Sequence, residues 1–168
     1  MAAGVRNEQS WAALKGIYLL MMWLDAELDS LAIGRLGAYR CAAGYYLYVG
    51  SAFGPGGLAA RVAHHERPIK ARPHWHIDYL RAYACLVETW LVGTAARIEC
   101  CWASALADAP GLIIPIPGFG ASHSPCVSHL LYAPRRPAPR TLTGTLLECL
   151  FDEGARSFSL EIKNYVDA

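Results

Sequence analysis

Two apolar, β-rich runs, one opening on Gly16-Ile17-Tyr18 and the other closing on Tyr48-Val49-Gly50, precede a helix-like stretch that carries Arg61 and His65. This order restricts the fold more than any other feature of the chain. Residues 14–23 are apolar and aromatic, bounded by a polar leader and by Asp25-Ala26-Glu27, and read as a buried strand. The longest uninterrupted apolar run, residues 17–24, is far short of the about 20 residues that span a bilayer.

Residues 30–35 read as a second strand, paired with the first as a hairpin, and residues 37–44 as the connection to a third strand over 45–52. Gly54-Pro55-Gly56-Gly57 breaks that strand and launches a helix over 58–66. Beyond a basic loop interrupted by Pro68 and Pro73, residues 75–79 read as a helical turn and 84–92 as a strand. A second helix over 95–107 ends at Pro110-Gly111, residues 115–120 form a rigid loop and 128–132 a short strand. Prolines mark 134–139 as a linker, and the tail from 142 adds a helix and a strand. The class is α+β, a small mixed sheet flanked by helices. A chain of 168 residues, 54% apolar, fills one sizeable core rather than two. We divide it into a domain over 1–133, a linker over 134–140 and a C-terminal extension over 141–168 packed on the domain.

Arg6 and Lys15 before an apolar stretch imitate a secretory signal, yet Asp25, Glu27 and Asp29 occupy the place of small cleavage-site residues. Six scattered cysteines, with Cys100 and Cys101 adjacent, show no regular disulfide framework, so the expectation is a reduced, cytoplasmic protein. Cys100, Cys101, Cys126, His123 and His129 invite a zinc site, but their spacing is irregular and core thiols are the simpler account. A net charge of +1 is low for a protein that grips phosphate backbones. Local clusters matter more: Arg61, Arg67, Lys70, Arg72 and Arg81 fall in one segment with His64, His65, His74 and His76, and Arg135, Arg136 and Arg140 lie among prolines.

The stretch from Gly44 to Ala52, the series Trp75-His76-Ile77-Asp78-Tyr79-Leu80, Gly118-Phe119-Gly120 and Ser128-His129-Leu130 occur in one succession. Together with the two tripeptides they resemble the GIY-YIG nuclease superfamily, and within it the Uri-type branch (domain of unknown function 123-like). The resemblance runs from about residue 14 to residue 132 and implies a GIY-YIG-like arrangement of the fold. It also implies that Tyr18 and Tyr48 project from neighbouring strands into one cleft, where their hydroxyls position the attacking water or relay its proton. Arg61 is implied as phosphate clamp, with a planar fork suited to two oxygens of one phosphate. His65, four positions on and on the same helical face, is its proton-relay or hydrogen-bonding partner. His64 points about 100° away around the axis.

Glu99 falls where the superfamily places its single metal-holding carboxylate, with Glu88 as competitor; Mg²⁺ or Mn²⁺ needs only one such group besides phosphate oxygens and water. His74 or His76 stands near a leaving oxygen or a phosphate, His76 preferred, with Asp78 orienting a His or Arg; equally, His76 and Asp78 form a buried structural pair around Trp75. The chain departs from the superfamily at Ser51, where many relatives carry Lys, and in lacking a late Asn, for which Ser122, Ser124 or Ser128 can substitute; Asn164 lies in the tail. The expected function is a metal-dependent endonuclease acting on DNA or RNA, with nucleic acid as partner, no membrane, and a homodimer or repair protein as further partner. The alternatives are a catalytically weak or inactive nucleic-acid-binding module of the same fold and a protein-interaction domain.

Overall fold

The computed structural model describes residues 14–165; the leader containing Arg6 lies outside them. In chain order the elements are β1 (Gly16–Leu24), β2 (Leu28–Ile33), β3 (Gly37–Cys41), β4 (Gly44–Ser51), α1 (Gly57–Glu66), α2 (His76–Arg81), β5 (Cys85–Gly93), α3 (Glu99–Ala107), β6 (Leu130–Ala133), α4 (Pro139–Asp152) and β7 (Ser159–Asn164). Five strands form one sheet in the order β6-β4-β1-β5-β7, antiparallel at every pairing. The fold is α+β.

β1 occupies the middle because it can be buried on both faces: all of its residues except Trp23 are buried. Side chains alternate across the sheet. Tyr18, Leu20, Met22 and Leu24 pack on one face against α1, α2 and the small β2–β3 sheet, through Leu58, Val62, Ile77, Leu80, Leu31 and Ile33. Ile17, Leu19 and Met21 pack on the other face with Leu47 and Val49, against Trp102 and Leu106 of α3 and Leu142 and Leu146 of α4.

The glycines of the two tripeptides permit close approach. A Cβ at Gly16 would lie 1.9 Å from the Val92 carbonyl oxygen, and one at Gly50 would lie 2.3 Å from the Tyr18 ring. Gly50 therefore leaves the space that Tyr18 fills, because the two stand opposite each other in the β1–β4 register.

Several expectations need correction. β2 does not form a hairpin with β1; it pairs with β3 in a separate two-stranded sheet, and β3 occupies the segment expected to be a connection. α3 begins at Glu99 rather than 95, because Thr94 turns the chain first, its hydroxyl accepting the Ala96 N–H. The helix α4 begins at Pro139, inside the expected linker, where proline suits the first helical turn. β7 closes the sheet against β5.

The expectation of six reduced thiols is overturned. Cys100 pairs with Cys126 and Cys101 with Cys149, leaving Cys41 and Cys85 free. Adjacent helical residues point in different directions, so the first turn of α3 is tied at once to the loop before β6 and to α4. The same pairing removes three sulfurs from the zinc set. No helix among the described residues is long and apolar enough to cross a membrane.

Candidate active site

Where β1, β4, α1, α2 and the start of α3 converge, a cleft of about 490 Å³ is lined by Tyr18, Tyr48, Arg61, His76 and Glu99, among others. These residues span 81 positions of sequence but meet for local reasons. Leu20 stands opposite Tyr48 and Gly50 opposite Tyr18, so both tyrosines share a face, with ring centroids 6.4 Å apart. Gly56, at φ 78°, turns the chain into α1 and brings Arg61 and His65 over that face.

Arg61 lies over the Trp75 ring, its guanidinium carbon 4.3 Å from the centroid. Trp75 thus acts as a shelf that fixes the side chain without neutralising it. No carboxylate pairs with Arg61 among the described residues. An anchored but unpaired cation in a cleft is suited to an anionic ligand.

His65 is fully buried, and its Nε2 lies 2.9 Å from the Tyr18 hydroxyl. Its Nδ1 is buried without a partner. A bare lone pair costs less than a bare N–H, so the proton belongs on Nε2, donating to Tyr18 and leaving the phenol O–H free to donate into the cleft. Burial drives the His65 pKa down to about 3, with His64 adding to the effect. Burial also raises Tyr18 well above the ordinary phenol value and Tyr48 to about 12, against the opposing pull of Arg61. Both tyrosines are therefore neutral hydrogen-bond donors at ordinary pH.

Tyr48 packs on Gly120, where a Cβ would stand 2.9 Å from its ring. The Gly120 N–H donates to His76 Nδ1 at 3.0 Å. With Nδ1 accepting, the neutral His76 ring carries its proton on Nε2. Burial lowers its pKa.

Glu99 is the first residue of α3, where the helix dipole favours a carboxylate. Its Oε2 is buried and has no protein partner. Glu88 does not line the cleft: it is buried, accepts from Trp90 Nε1 at 2.9 Å and pairs with Arg136.

The expected His76–Asp78 pair is not formed. Asp78 accepts from His64 Nε2 at 2.8 Å, Lys70 Nζ at 3.0 Å, and the backbone N–H groups of His74 and Trp75 at 2.9 and 3.1 Å. Burial alone would raise its pKa, but these donors outweigh it and hold the carboxyl well below the usual range. His64, whose ring meets that of His65 edge-on at 5.2 Å despite the 100° offset expected around the helix, thus braces the loop that carries Trp75. Arg81 is likewise internal, its guanidinium donating to the His65 and Ala84 carbonyls. Lys70 and Arg81 are consequently lost from the basic cluster expected to face a ligand.

A family model described as "Domain of unknown function DUF123" matches residues 17–151. The chain belongs to the DUF123 family. No curated protein and no solved structure matches it. The DUF123 match covers every residue that lines the cleft and continues through most of α4, past residue 132 where the motif resemblance ends.

In this DUF123 domain the cleft also contains His74, Trp75, Ser122, His123, Ser124 and His129. Of the three serines weighed as substitutes for a late Asn, Ser122 and Ser124 line it; Ser128 is tied to the Leu130 backbone. The Trp75 shelf escaped sequence reasoning, and the expectation that Asp78 orients a His or Arg does not single out His64. Arg61 and Trp75 are 14 positions apart on separate elements, and no periodicity connects them.

Proposed function

We propose that the domain is a metal-dependent endonuclease of GIY-YIG type that hydrolyses phosphodiester bonds of nucleic acid, DNA before RNA. The observation that carries this reading is the meeting of an unpaired Arg61, two neutral phenols and the partnerless Oε2 of Glu99 in one cleft. The chemistry needs a cation facing the phosphoryl oxygens, donors that orient water, and a carboxylate for a divalent ion. A single buried carboxylate oxygen without a protein partner fits Mg²⁺ or Mn²⁺, which takes its other ligands from water and phosphate. When bound, the ion would supply positive charge where charge develops on the ester oxygens.

Arg61 binds the non-bridging oxygens with its fork, held on Trp75. The Tyr18 and Tyr48 hydroxyls donate to the water or to a phosphoryl oxygen and orient the two for attack. His65 holds Tyr18 in that orientation, and the Nε2–H of His76 donates to an ester oxygen. We place the activity in the cytoplasm with its substrate, the disulfides shielded by the buried Cys126 and Cys149. The modest charge suits a homodimer or a repair-protein partner that adds basic surface.

Nicking of supercoiled plasmid in Mg²⁺ or Mn²⁺ tests the reading. Glu99→Ala and Arg61→Ala are each expected to lower the rate on the order of 10²-fold or more. Their melting temperatures should stay close to that of the wild type. Equal, metal-independent nicking by wild type and Glu99→Ala would eliminate the reading. Ser51, which lines the cleft without supplying a cation, favours a second reading: a module that binds nucleic acid without cutting it. Salt-dependent binding in the absence of any nicking is its signature.

A further inference from the structure

We propose that Ser124 and His129 form a hydroxyl–imidazole pair that accepts the proton of the oxygen attacking phosphorus, making Ser124 a catalytic residue for a phosphoryl ester substrate. The inference rests on the hydrolase reading above and supplies the proton acceptor that reading lacks. Tyr18 and Tyr48 are protonated donors, the buried His65 is engaged with Tyr18, and His76 has its Nδ1 occupied by Gly120.

The geometry follows from hydrogen-bonding roles. His129 Nδ1 lies 3.1 Å from the Val49 carbonyl oxygen, which only accepts, so Nδ1 carries the proton. In the neutral ring, Nε2 is then an acceptor, and the Ser124 hydroxyl 3.1 Å away must donate to it. One lone pair of the same hydroxyl takes the Cys126 N–H at 3.2 Å. The other remains for a water in the cleft, which both residues line. This is the hydrogen-bond order of an activated hydroxyl: the base is oriented from behind by a carbonyl, the hydroxyl is directed at the base, and an acceptor site faces the substrate.

The pair is held firmly. The His129 N–H donates to the Phe119 carbonyl, and its own carbonyl accepts from Val49 N–H. The Cys100–Cys126 bond anchors the loop two residues beyond Ser124 to the turn of α3 that bears Glu99. His129 is almost wholly buried while Ser124 is only partly so, the order required for an oriented base behind a reachable hydroxyl. Arg61 in the same cleft selects a phosphoryl over a neutral acyl centre.

In the step, water gives its proton to Ser124 Oγ as the Ser124 proton passes to His129 Nε2. The water oxygen forms a bond to phosphorus, the P–O bond to the leaving oxygen breaks, and that oxygen takes a proton from solvent. His129 returns its proton to solvent, and the sum is hydrolysis.

Two readouts test the pair, and one is independent of nucleic acid. Diisopropyl fluorophosphate presents a tetrahedral phosphorus with a fluoride leaving group; peptide mapping should find the phosphoryl adduct on Ser124, forming at least tenfold more slowly in His129→Gln. In plasmid nicking, Ser124→Ala should lower kcat by roughly 10²-fold with KM unchanged, Ser124→Thr should retain most of the rate, and the solvent deuterium effect on kcat should shrink in Ser124→Ala. Thermal melting of each variant separates loss of the pair from loss of the fold. Should wild type nick while Ser124→Ala nicks equally fast, the pair is overturned and the hydrolase reading survives. If plasmid is not cut but Ser124 is labelled in a His129-dependent way, the pair stands and nucleic acid is the wrong phosphoryl ester. Adducts scattered over several serines with no dependence on His129 overturn the pair whatever the nicking result.

Discussion

The α3–α4 face of the central sheet buries Ile17, Leu19, Met21, Leu47 and Val49 against Trp102, Leu106, Leu142 and Leu146, and is stapled by Cys101–Cys149. On the α1–α2 face the same strands bury Tyr18 and Tyr46 beside His65, Asp78 and Arg81. The first face is an ordinary apolar core. The second keeps polar groups out of water and satisfies nearly all of them internally. Of the three buried side-chain atoms without a partner among the described residues, His65 Nδ1 and Glu99 Oε2 belong to the candidate site. Buried polar atoms are rarely left unsatisfied, so these mark where the structure gives up stability for an arrangement of groups.

Two truncations set the faces against each other. Trp102→Ala removes a fully buried indole, and its Nε1 bond to Thr145, from the apolar face and should cost about 3–5 kcal/mol. Asp78→Ala leaves Lys70, His64 and two backbone N–H groups without their common acceptor and should cost about as much, 3–5 kcal/mol. Urea unfolding at several pH values distinguishes them. The folded pKa of Asp78 is depressed, so its contribution is complete above the unfolded value and is lost as pH falls below about 4. The gap between wild type and Asp78→Ala should narrow there, whereas the Trp102→Ala gap holds. A cost below 1 kcal/mol for Asp78→Ala at neutral pH would mean that the polar face is not organised by this carboxylate.

A pH-dependent effect isolates His65. Its folded pKa of about 3 is below the unfolded value, so the unfolded chain binds more protons between the two. Stability is therefore full above about pH 6.5 and falls with decreasing pH, by at most about 1.4 kcal/mol per unit, until about pH 3. The window from 6.5 to 4 lies above the Asp78 transition and so reports mainly on histidine, His76 and His129 adding in the same direction. His65→Gln should flatten the slope there. An unchanged slope would assign the acid sensitivity to the other imidazoles.

The parts of this architecture legible in the chain are those set by short range or by steric necessity. β1 announced itself by apolarity on both faces; Arg61 and His65 were implied by the motif resemblance, their four-residue spacing putting them on one helical face. Tyr18 and Tyr48 came from the motif resemblance; the glycines beside them now have a physical cause in the room that the Tyr18 ring and the Val92 carbonyl occupy. Illegible were relations decided by tertiary packing. β3, which opens on Gly37-Ala38 and follows the Gly34 turn, reads as a connection until β2 lies beside it. The cysteine pairs close loops of 26 and 48 residues, which spacing alone does not specify. Asp78 chose His64 over its neighbour His76 because α2 turns the His76 ring towards Gly120. Glu99 could be ranked above Glu88 only by resemblance; Arg136, 48 positions away, is what removes Glu88 from contention.

The smallest expected effect tests whether burial, rather than the presence of an ion pair, makes the polar face distinctive. Lys163 of β7 and Glu66 at the end of α1 form a pair 2.6 Å apart, with both side chains 36% exposed. Lys70 and Asp78 form one 3.0 Å apart, with exposures of 12% and 0%. Water and salt screen the first, so Lys163→Met should cost only about 0.2–1 kcal/mol, and 0.5 M NaCl should erase most of that. The Tyr165 hydroxyl still donates to Glu66 at 3.0 Å in the variant, limiting the loss further. Lys70→Met leaves a buried carboxylate with one cation fewer, and the cost should be larger and resist the same salt. Equal losses with equal salt sensitivity would mean that Asp78 is held by His64 and the two backbone amides alone. The basic loop over 67–73 would then be free to carry Lys70 to a ligand instead of to the interior.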